Sequence, residues 1–422
     1  MSQEHAPKKP EQGGAALADA ESKLARALRE MGQSSAVVSL LAVVIALAVG
    51  ALLILAADPS VRSTMGYFFA QPGDFFLTSW TTVSEAYTAL FRGAVFDWTA
   101  PELSRAVRPL TETMTNAVPL ILCGLGIAIG FRSGMLNIGG QGQIILGATF
   151  AGFLGYTVSM PVGVHMLFAL FGGLLGGAIW GGIAGVLKAR TGANEVIVTI
   201  MLNYIALYLL AWLLQQQWFV QTGSNQPRST GVDESARLFG LLGDGFRLHA
   251  GFLLAILATV FVWWLLERST LGFEMRAIGE NPDAARTAGI SVPKATAMVL
   301  IIGGGLAGLA GAAHVLGTQY SLTGGVAGSL GFDAITVALL GRSKPLGTFL
   351  AGLLFGGLQA GGVLMQASTG TPIDIILVVQ SVIVLLIAAP PLVRAIFFLP
   401  DPQRPGKKIR RAGAKRSQEV SA

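Results

Sequence analysis

Runs of about twenty apolar residues recur along this chain, and ionisable residues are confined to the gaps between them. The clearest run, Ala36 to Ala57, holds no ionisable group. At a rise of about 1.5 Å per residue, a helix of that length crosses a hydrocarbon layer of roughly 30 Å. Further runs fall near 114–131, 138–156, 166–187, 197–214, 251–266, 295–316, 347–365 and 373–396. A tenth, weaker crossing is expected between Gln319 and Gly341. That stretch is rich in Gly and Ser as far as Phe332, then apolar from Ala334 to Leu340. It predicts extended backbone followed by a half-helix. Irregular backbone at membrane depth is tolerated only inside protein or beside a water-filled cavity. A second odd segment, Arg132 to Gly142, is rich in Gly, Asn and Gln. Interruptions in both halves of a chain point to a transport site. The pattern therefore predicts an all-α, polytopic helical membrane protein of about ten transmembrane segments, including one broken span.

Charge then orients these runs. If the N-terminus lies inside and the runs alternate, the inside gaps hold 22 of the 29 Lys and Arg, and the bias supports that orientation. Three regions follow: a cytoplasmic segment 1–35, a transmembrane domain 36–396 and a basic cytoplasmic tail 397–422. Within the first, Leu17, Ala20, Leu24, Leu28 and Met31 fall at helical spacing, as on a surface helix. A cleavable signal peptide is not expected, because the charged leader and the apolar run are both too long. The tail, with Arg404, Lys407, Lys408, Arg410 and Arg411, reads as disordered chain near anionic membrane lipid rather than a nucleic-acid contact. In the outside segment 58–113, Trp80, Tyr87, Phe91 and Trp98 suit the membrane–water boundary.

Composition agrees with a lipid-solvated protein. Charged residues make up 12%, about half the usual share of roughly 25%. The 55 glycines sit largely inside the apolar runs, as in Gly172, Gly173, Gly176, Gly177, Gly181, Gly182 and Gly185, where small residues let helix backbones approach. Cys123 is the only cysteine, and the four histidines form no ligand-spaced cluster, so no disulfide, metal site or cofactor is expected. His314 falls inside a span, either packed or on a polar pathway.

The polar residues within or beside the spans are candidates for a pathway: Asn137, Gln141, Gln143, Asn203, Tyr204, Gln359, Gln366 and Asp333. Each has an alternative role, capping a half-helix or bonding across helices. Glu195 either caps its span or pairs with Lys188 or Arg190. The gap 267–294 carries a short helix with clear signals. Asn281 suits the N-cap, Pro282 the first helical position, Asp283 the positive dipole end, and Gly289 the left-handed stop. The helix, Pro282 to Ala288, exposes Glu280 and Arg286. By itself it is either an ordinary capped loop helix or a docking element.

Three segments carry a resemblance: GFRSGMLNIGGQGQ at 130–143, NEVIVTIMLNY at 194–204 and RAIGENPDAARTAGI at 276–290. With Phe332 to Gly347 they resemble the permease subunits of bacterial ABC importers, in the branch that carries ribose-type sugars and nucleosides. The resemblance covers roughly 80–396. Family members often carry an acidic residue where Gly140 or Gln141 stands here. The resemblance implies a cytoplasmic coupling helix, built here from Glu280, Asn281, Pro282, Ala284, Ala285, Arg286 and Gly289. It also implies an ATPase on a partner chain, a second permease subunit, identical or not, and an external substrate-binding lipoprotein. The expected location is the bacterial cell membrane, with both termini cytoplasmic. The chain has no G-x-x-x-x-G-K-S/T loop, H-E-x-x-H pair or G-x-S-x-G elbow, so it reads as a transport subunit and not an enzyme. Nucleosides are the first substrate choice and ribose-type sugars the second. An ion-coupled secondary transporter is the alternative of another class, and it calls for a buried acidic pair. Asp333 and Asp374 are the only acids near span interiors.

Overall fold

The computed structural model describes residues 35–389, apart from 222, 224, 225 and 244, together with 392, 393, 396 and 397. The expected leader helix at 15–31 and the basic tail beyond 397 lie outside the described residues. The chain forms two compact units, Gly50–Gln380 and Met1–Val49 with Ser381–Ala422. In the smaller one, Ala42, Leu386 and Val393 pack together.

The apolar runs all become helices. They are α1 (Ser35–Ala57), α4 (Leu103–Arg132), α5 (Gly140–Thr157), α6 (Val164–Thr191), α7 (Glu195–Leu213), α8 (Gly251–Arg268), α11 (Val292–His314), α13 (Pro345–Thr369) and α14 (Asp374–Ala388). Between them lie α2 (Pro59–Met65), α3 (Pro72–Ala94), α9 (Thr270–Glu280), α10 (Pro282–Thr287) and α12 (Leu330–Leu340). Among the described residues, seven helices are long and apolar enough to cross a membrane: α1, α4, α6, α7, α8, α13 and α11 with its continuation to Gln319. Beside them stand the Gly- and Gln-bearing α5 and the shorter apolar helices α12 and α14. No strand is present among the described residues. α4 begins well before the run that marks it, because its first turns are amphipathic and carry Arg105, Arg108 and Glu112. α3 was not anticipated as a helix. It packs through Ala86, Ala89, Leu90 and Gly93, and its Asp74, Glu85 and Arg92 kept it out of the apolar pattern.

Local signals explain the helix ends. Asn194 accepts the Val196 and Ile197 backbone N–H groups at the start of α7. Gly192 closes α6 in the left-handed conformation, with φ of 70°. Packing inside the bundle depends on small residues. α6 crosses α11 so closely that a Cβ on Gly177 would stand 2.2 Å from the Gly304 carbonyl oxygen. Lipid supplies no hydrophobic force between helices, so this close backbone contact holds them together.

The break expected between Gln319 and Gly341 is present. α11 ends in a π turn, Val315–Gln319, and Tyr320 is left-handed with φ of 56°. Ten residues, Tyr320 to Ser329, separate the π turn from α12. The loop between α7 and α8 pairs with the backbone of Tyr320 and Leu322. Val232 N–H donates to Tyr320 O (2.8 Å), Ser229 N–H to Leu322 O (2.9 Å), and Leu322 N–H to the Ser229 hydroxyl (2.9 Å). Ser321, Leu322, Val326 and Ala327 are buried against the protein, whereas Tyr320, Gly324, Gly325, Gly328 and Ser329 are exposed. The loop between α7 and α8 also carries His249, which is 3% exposed. Its Nδ1 accepts the Gly251 N–H, so the ring is neutral with its proton on Nε2, facing the Thr318 hydroxyl (3.3 Å). Burial, aided by nearby His314 and Arg247, pushes its pKa down to about 4 and keeps the ring neutral.

Candidate functional site

The two interrupted segments meet. A Cβ on Gly140, the first residue of α5, would lie 3.0 Å from Cys123 Sγ and 3.4 Å from the Gly331 carbonyl. Cys123 is nine residues before Arg132, roughly 13 Å inside the bundle from that end of α4. The segment 133–139 therefore dives back into the bundle before α5 starts. α5 and α12 abut at their N-termini, the positive ends of both helix dipoles.

Side-chain amides hold this junction. Asn137 and Gln143, both 1% exposed, bond reciprocally: Asn137 Nδ2 donates to Gln143 Oε1 (3.1 Å), and Gln143 Nε2 to Asn137 Oδ1 (3.3 Å). Asn137 Oδ1 also accepts the Gly139 N–H at 2.9 Å. Asn203, from α7, accepts the Gly142 N–H at 2.8 Å and donates to the Ile138 carbonyl at 2.9 Å. Gln141 spans the two breaks. Its Oε1 accepts the Gly331 N–H (2.9 Å), capping α12, and its Nε2 donates to the Gly328 carbonyl (2.6 Å). Asp333 lies in the first turn of α12 and accepts the Ser329 hydroxyl at 2.7 Å.

The candidates thus fall into three groups. Asn137, Gln143 and Asn203 are buried, with their amides engaged within the protein. Gln141 and Asp333 are half-buried beside an exposed strip of Gln319, Tyr320, Gly324, Gly325, Gly328, Ser329 and Phe332. Tyr204 is 54% exposed and shares its face of α7 with Met201, Ile205 and Tyr208, away from buried Asn203. The strip at 319–332, with Gln141 and Asp333 beside it, offers backbone polar groups, two amides, one carboxylate and the exposed rings of Tyr320 and Phe332. This set suits a neutral, hydroxyl-rich ligand with a flat face.

A cleft of about 600 Å³ opens at the other end of α4, away from Arg132. Asp97, Arg105, Arg108, Glu112, Asn116 and Arg247 line it, with the α13 wall from Ala360 to Ala367 opposite. Arg247 pairs with Glu112 at 3.1 Å. The pattern reading missed these residues. The available signal was their helical spacing, since Arg105, Arg108, Glu112 and Asn116 recur every three or four residues on one face of α4.

At the Arg132 end of the bundle, the cap foreseen at Asn281 is present. Its Oδ1 accepts the Asp283 and Ala284 N–H groups at 3.0 and 3.1 Å. Pro282 opens α10, and Gly289 follows it with φ of 87°. Glu280, Pro282, Asp283, Ala284, Arg286 and Thr287 are exposed, whereas Ala285 is 4% exposed against Ile278 and Ala295. Glu195 at the α6–α7 turn is paired with Lys188. Among the described residues, no group of His, Cys, Asp and Glu could hold a metal ion.

Comparison with known proteins fits this architecture. Residues 110–388 match the family described as branched-chain amino acid transport system / permease component. The guanosine ABC transporter permease protein NupP of Bacillus subtilis is 36% identical over 361 residues, covering 84% of this chain and 94% of its own. The nucleoside ABC transporter permease protein NupB of Lactococcus lactis subsp. cremoris is 34% identical, over 67% of this chain and 80% of its own. The glucose ABC transporter permease protein TsgB13 of Haloferax volcanii is 34% identical, over 66% and 75%. No solved structure matches. The interrupted spans, the family match and the extent of these similarities lead to one conclusion: the chain belongs to the branched-chain amino acid transport system / permease component family and is the multi-pass, membrane-spanning subunit of an ABC transporter, with ATP hydrolysed on a partner chain.

Proposed function

We propose that this permease imports nucleosides across the bacterial cell membrane by alternating access. The observation that carries the reading is the exposed strip at 319–332, where Tyr320, Phe332, Gln141 and Asp333 combine ring faces with amide and carboxylate groups. A nucleoside joins an aromatic base to a polar ribose, and the strip meets both needs. Two relatives named for guanosine and nucleoside transport support the same substrate class. A sugar is the second reading, favoured by the glucose-named relative. In this account, Gln141 and Asp333 face the path. Asn137, Gln143 and Asn203 form the layer behind it, keeping the two breaks in shape. Tyr204 enters the path only if its open face of α7 borders it. The test is uptake of radiolabelled uridine, adenosine, ribose and glucose side by side. Uridine or adenosine accumulation supports the reading, and sugar transport without nucleoside transport refutes it.

The partners follow from the same reading: a cytoplasmic ATPase seated on α10, a second permease subunit, and an external lipoprotein receptor that delivers substrate near the Arg105–Arg247 cleft. Both termini then face the cytoplasm, which accords with the 22 Lys and Arg on that side. Labelling checks the orientation. In a Cys123→Ser background, an impermeant thiol reagent should mark Thr230→Cys and spare Thr287→Cys in intact cells, both positions being exposed. The reverse pattern inverts the topology.

A further inference from the structure

We propose that Glu267 is the positioning residue through which the docking element α9–α10 controls the end of the broken span. The inference rests on the docking role given to α10 above. Glu267 lies in the last turn of α8. One carboxylate oxygen stands 3.7 Å from Arg132 Nη2, and the other 3.4 Å from Arg276 Nη1 on α9. Arg132 ends α4 and donates from Nε to the Ser343 carbonyl at 3.2 Å. Ser343 and Arg342, with φ of 53° and 54°, form the turn that joins α12 to α13. One carboxylate therefore links α9, α4 and the end of the half-helix that borders the path.

Two further observations point to a second arrangement. Arg276 Nε is buried and has no acceptor, although Glu267 sits beside its Nη1. A shift of α9 that turned the Arg276 guanidinium would let Glu267 take its Nε and Nη2, the edge whose two N–H groups run parallel, releasing Arg132. The Arg342–Ser343 turn holds two non-glycine residues in the left-handed region, where side chains are strained. Backbone contact supplies the pivot, since a Cβ on Gly279 would stand 2.5 Å from the Arg132 carbonyl oxygen. In this proposal the shared charge above the pivot moves between two arrangements, as coupling between distant sites needs. Half-exposed ion pairs of this length add little to stability, so their removal should spare the fold.

The test uses the permease assembled with its ATPase and receptor in proteoliposomes, reading uptake per ATP hydrolysed. Glu267→Ala should keep receptor-stimulated hydrolysis within about twofold and lower the ratio about fivefold or more, a typical coupling factor. Glu267→Asp, which keeps the charge, should restore most of it. An unchanged ratio in Glu267→Ala overturns the proposal. So does loss of the folded protein in both Glu267→Ala and Arg276→Gln, which would make the charges merely structural. Arg286→Glu, on the exposed face of α10, tests the docking reading separately. If ATPase association survives it, that reading fails, and the Glu267 ratio is still judged by its own outcome.

Discussion

Gly308→Ala should abolish the folded permease, and Gly305→Ala, three residues away on the same helix, should leave it intact. A Cβ on Gly308 would stand 2.2 Å from the Gly173 carbonyl oxygen and 2.8 Å from Gly177 Cα. Both are backbone atoms of α6, so no side chain can rotate away. The helices would have to separate, and the neighbouring Gly177–Gly304 contact would open with them. Overpacking in a well-filled core costs about 1–3 kcal/mol even where side chains can adjust. Here the central α6–α11 seam is lost. At Gly305 the nearest atom is Leu174 Cγ at 3.6 Å, an ordinary contact. Size-exclusion profiles and thermal melting in detergent distinguish the two. Equal behaviour of the two variants would mean that these helices are not held by close backbone contact.

Ala285→Trp should silence transport while the bundle stays folded. Ala285 is the one buried residue of α10, seated against Ile278 and Ala295 in a small cluster separate from the main core. An indole does not fit there, so α10 must lift from its seat, and the exposed Asp283, Ala284 and Arg286 move with it. A strain of about 1–3 kcal/mol corresponds to roughly 5- to 150-fold in the docked population. Uptake and receptor-stimulated ATP hydrolysis should fall together, with permease abundance unchanged. Loss of uptake with normal stimulated hydrolysis would show that α10 does not carry the signal from the ATPase.

Much of the fold was legible because lipid is a demanding solvent. A span must be long, apolar and internally hydrogen-bonded, so the run 166–187 had little choice but to form a helix close to α6. The α10 cap was legible for a different reason: Asn281, Pro282 and Gly289 each act on the backbone within a few residues. The broken span was readable as a change from Gly- and Ser-rich chain to Ala334–Leu340. What closes it was not, because Val232 and Ser229 bond to Tyr320 and Leu322 from about ninety residues away. The same limit applies to Asn203, whose partners Ile138 and Gly142 lie 65 and 61 residues off. Its neighbour Tyr204 is another matter. Successive residues on an α-helix are about 100° apart, so periodicity alone sets the ring on a different face from the amide. The Arg105–Asn116 stripe was also readable, but Arg105, Arg108 and Glu112 precede the apolar run at 114 and so escaped a search for hydrophobic stretches.

The most direct measurement is accumulation of labelled nucleoside by proteoliposomes holding this permease, its ATPase and its receptor, oriented so that ATP reaches the ATPase. Hydrolysable ATP should drive accumulation against a gradient, and a non-hydrolysable analogue or omission of the ATPase should stop it. Accumulation that persists without the ATPase, driven by a proton or sodium gradient, would contradict the assignment of this chain to an ATP-driven importer.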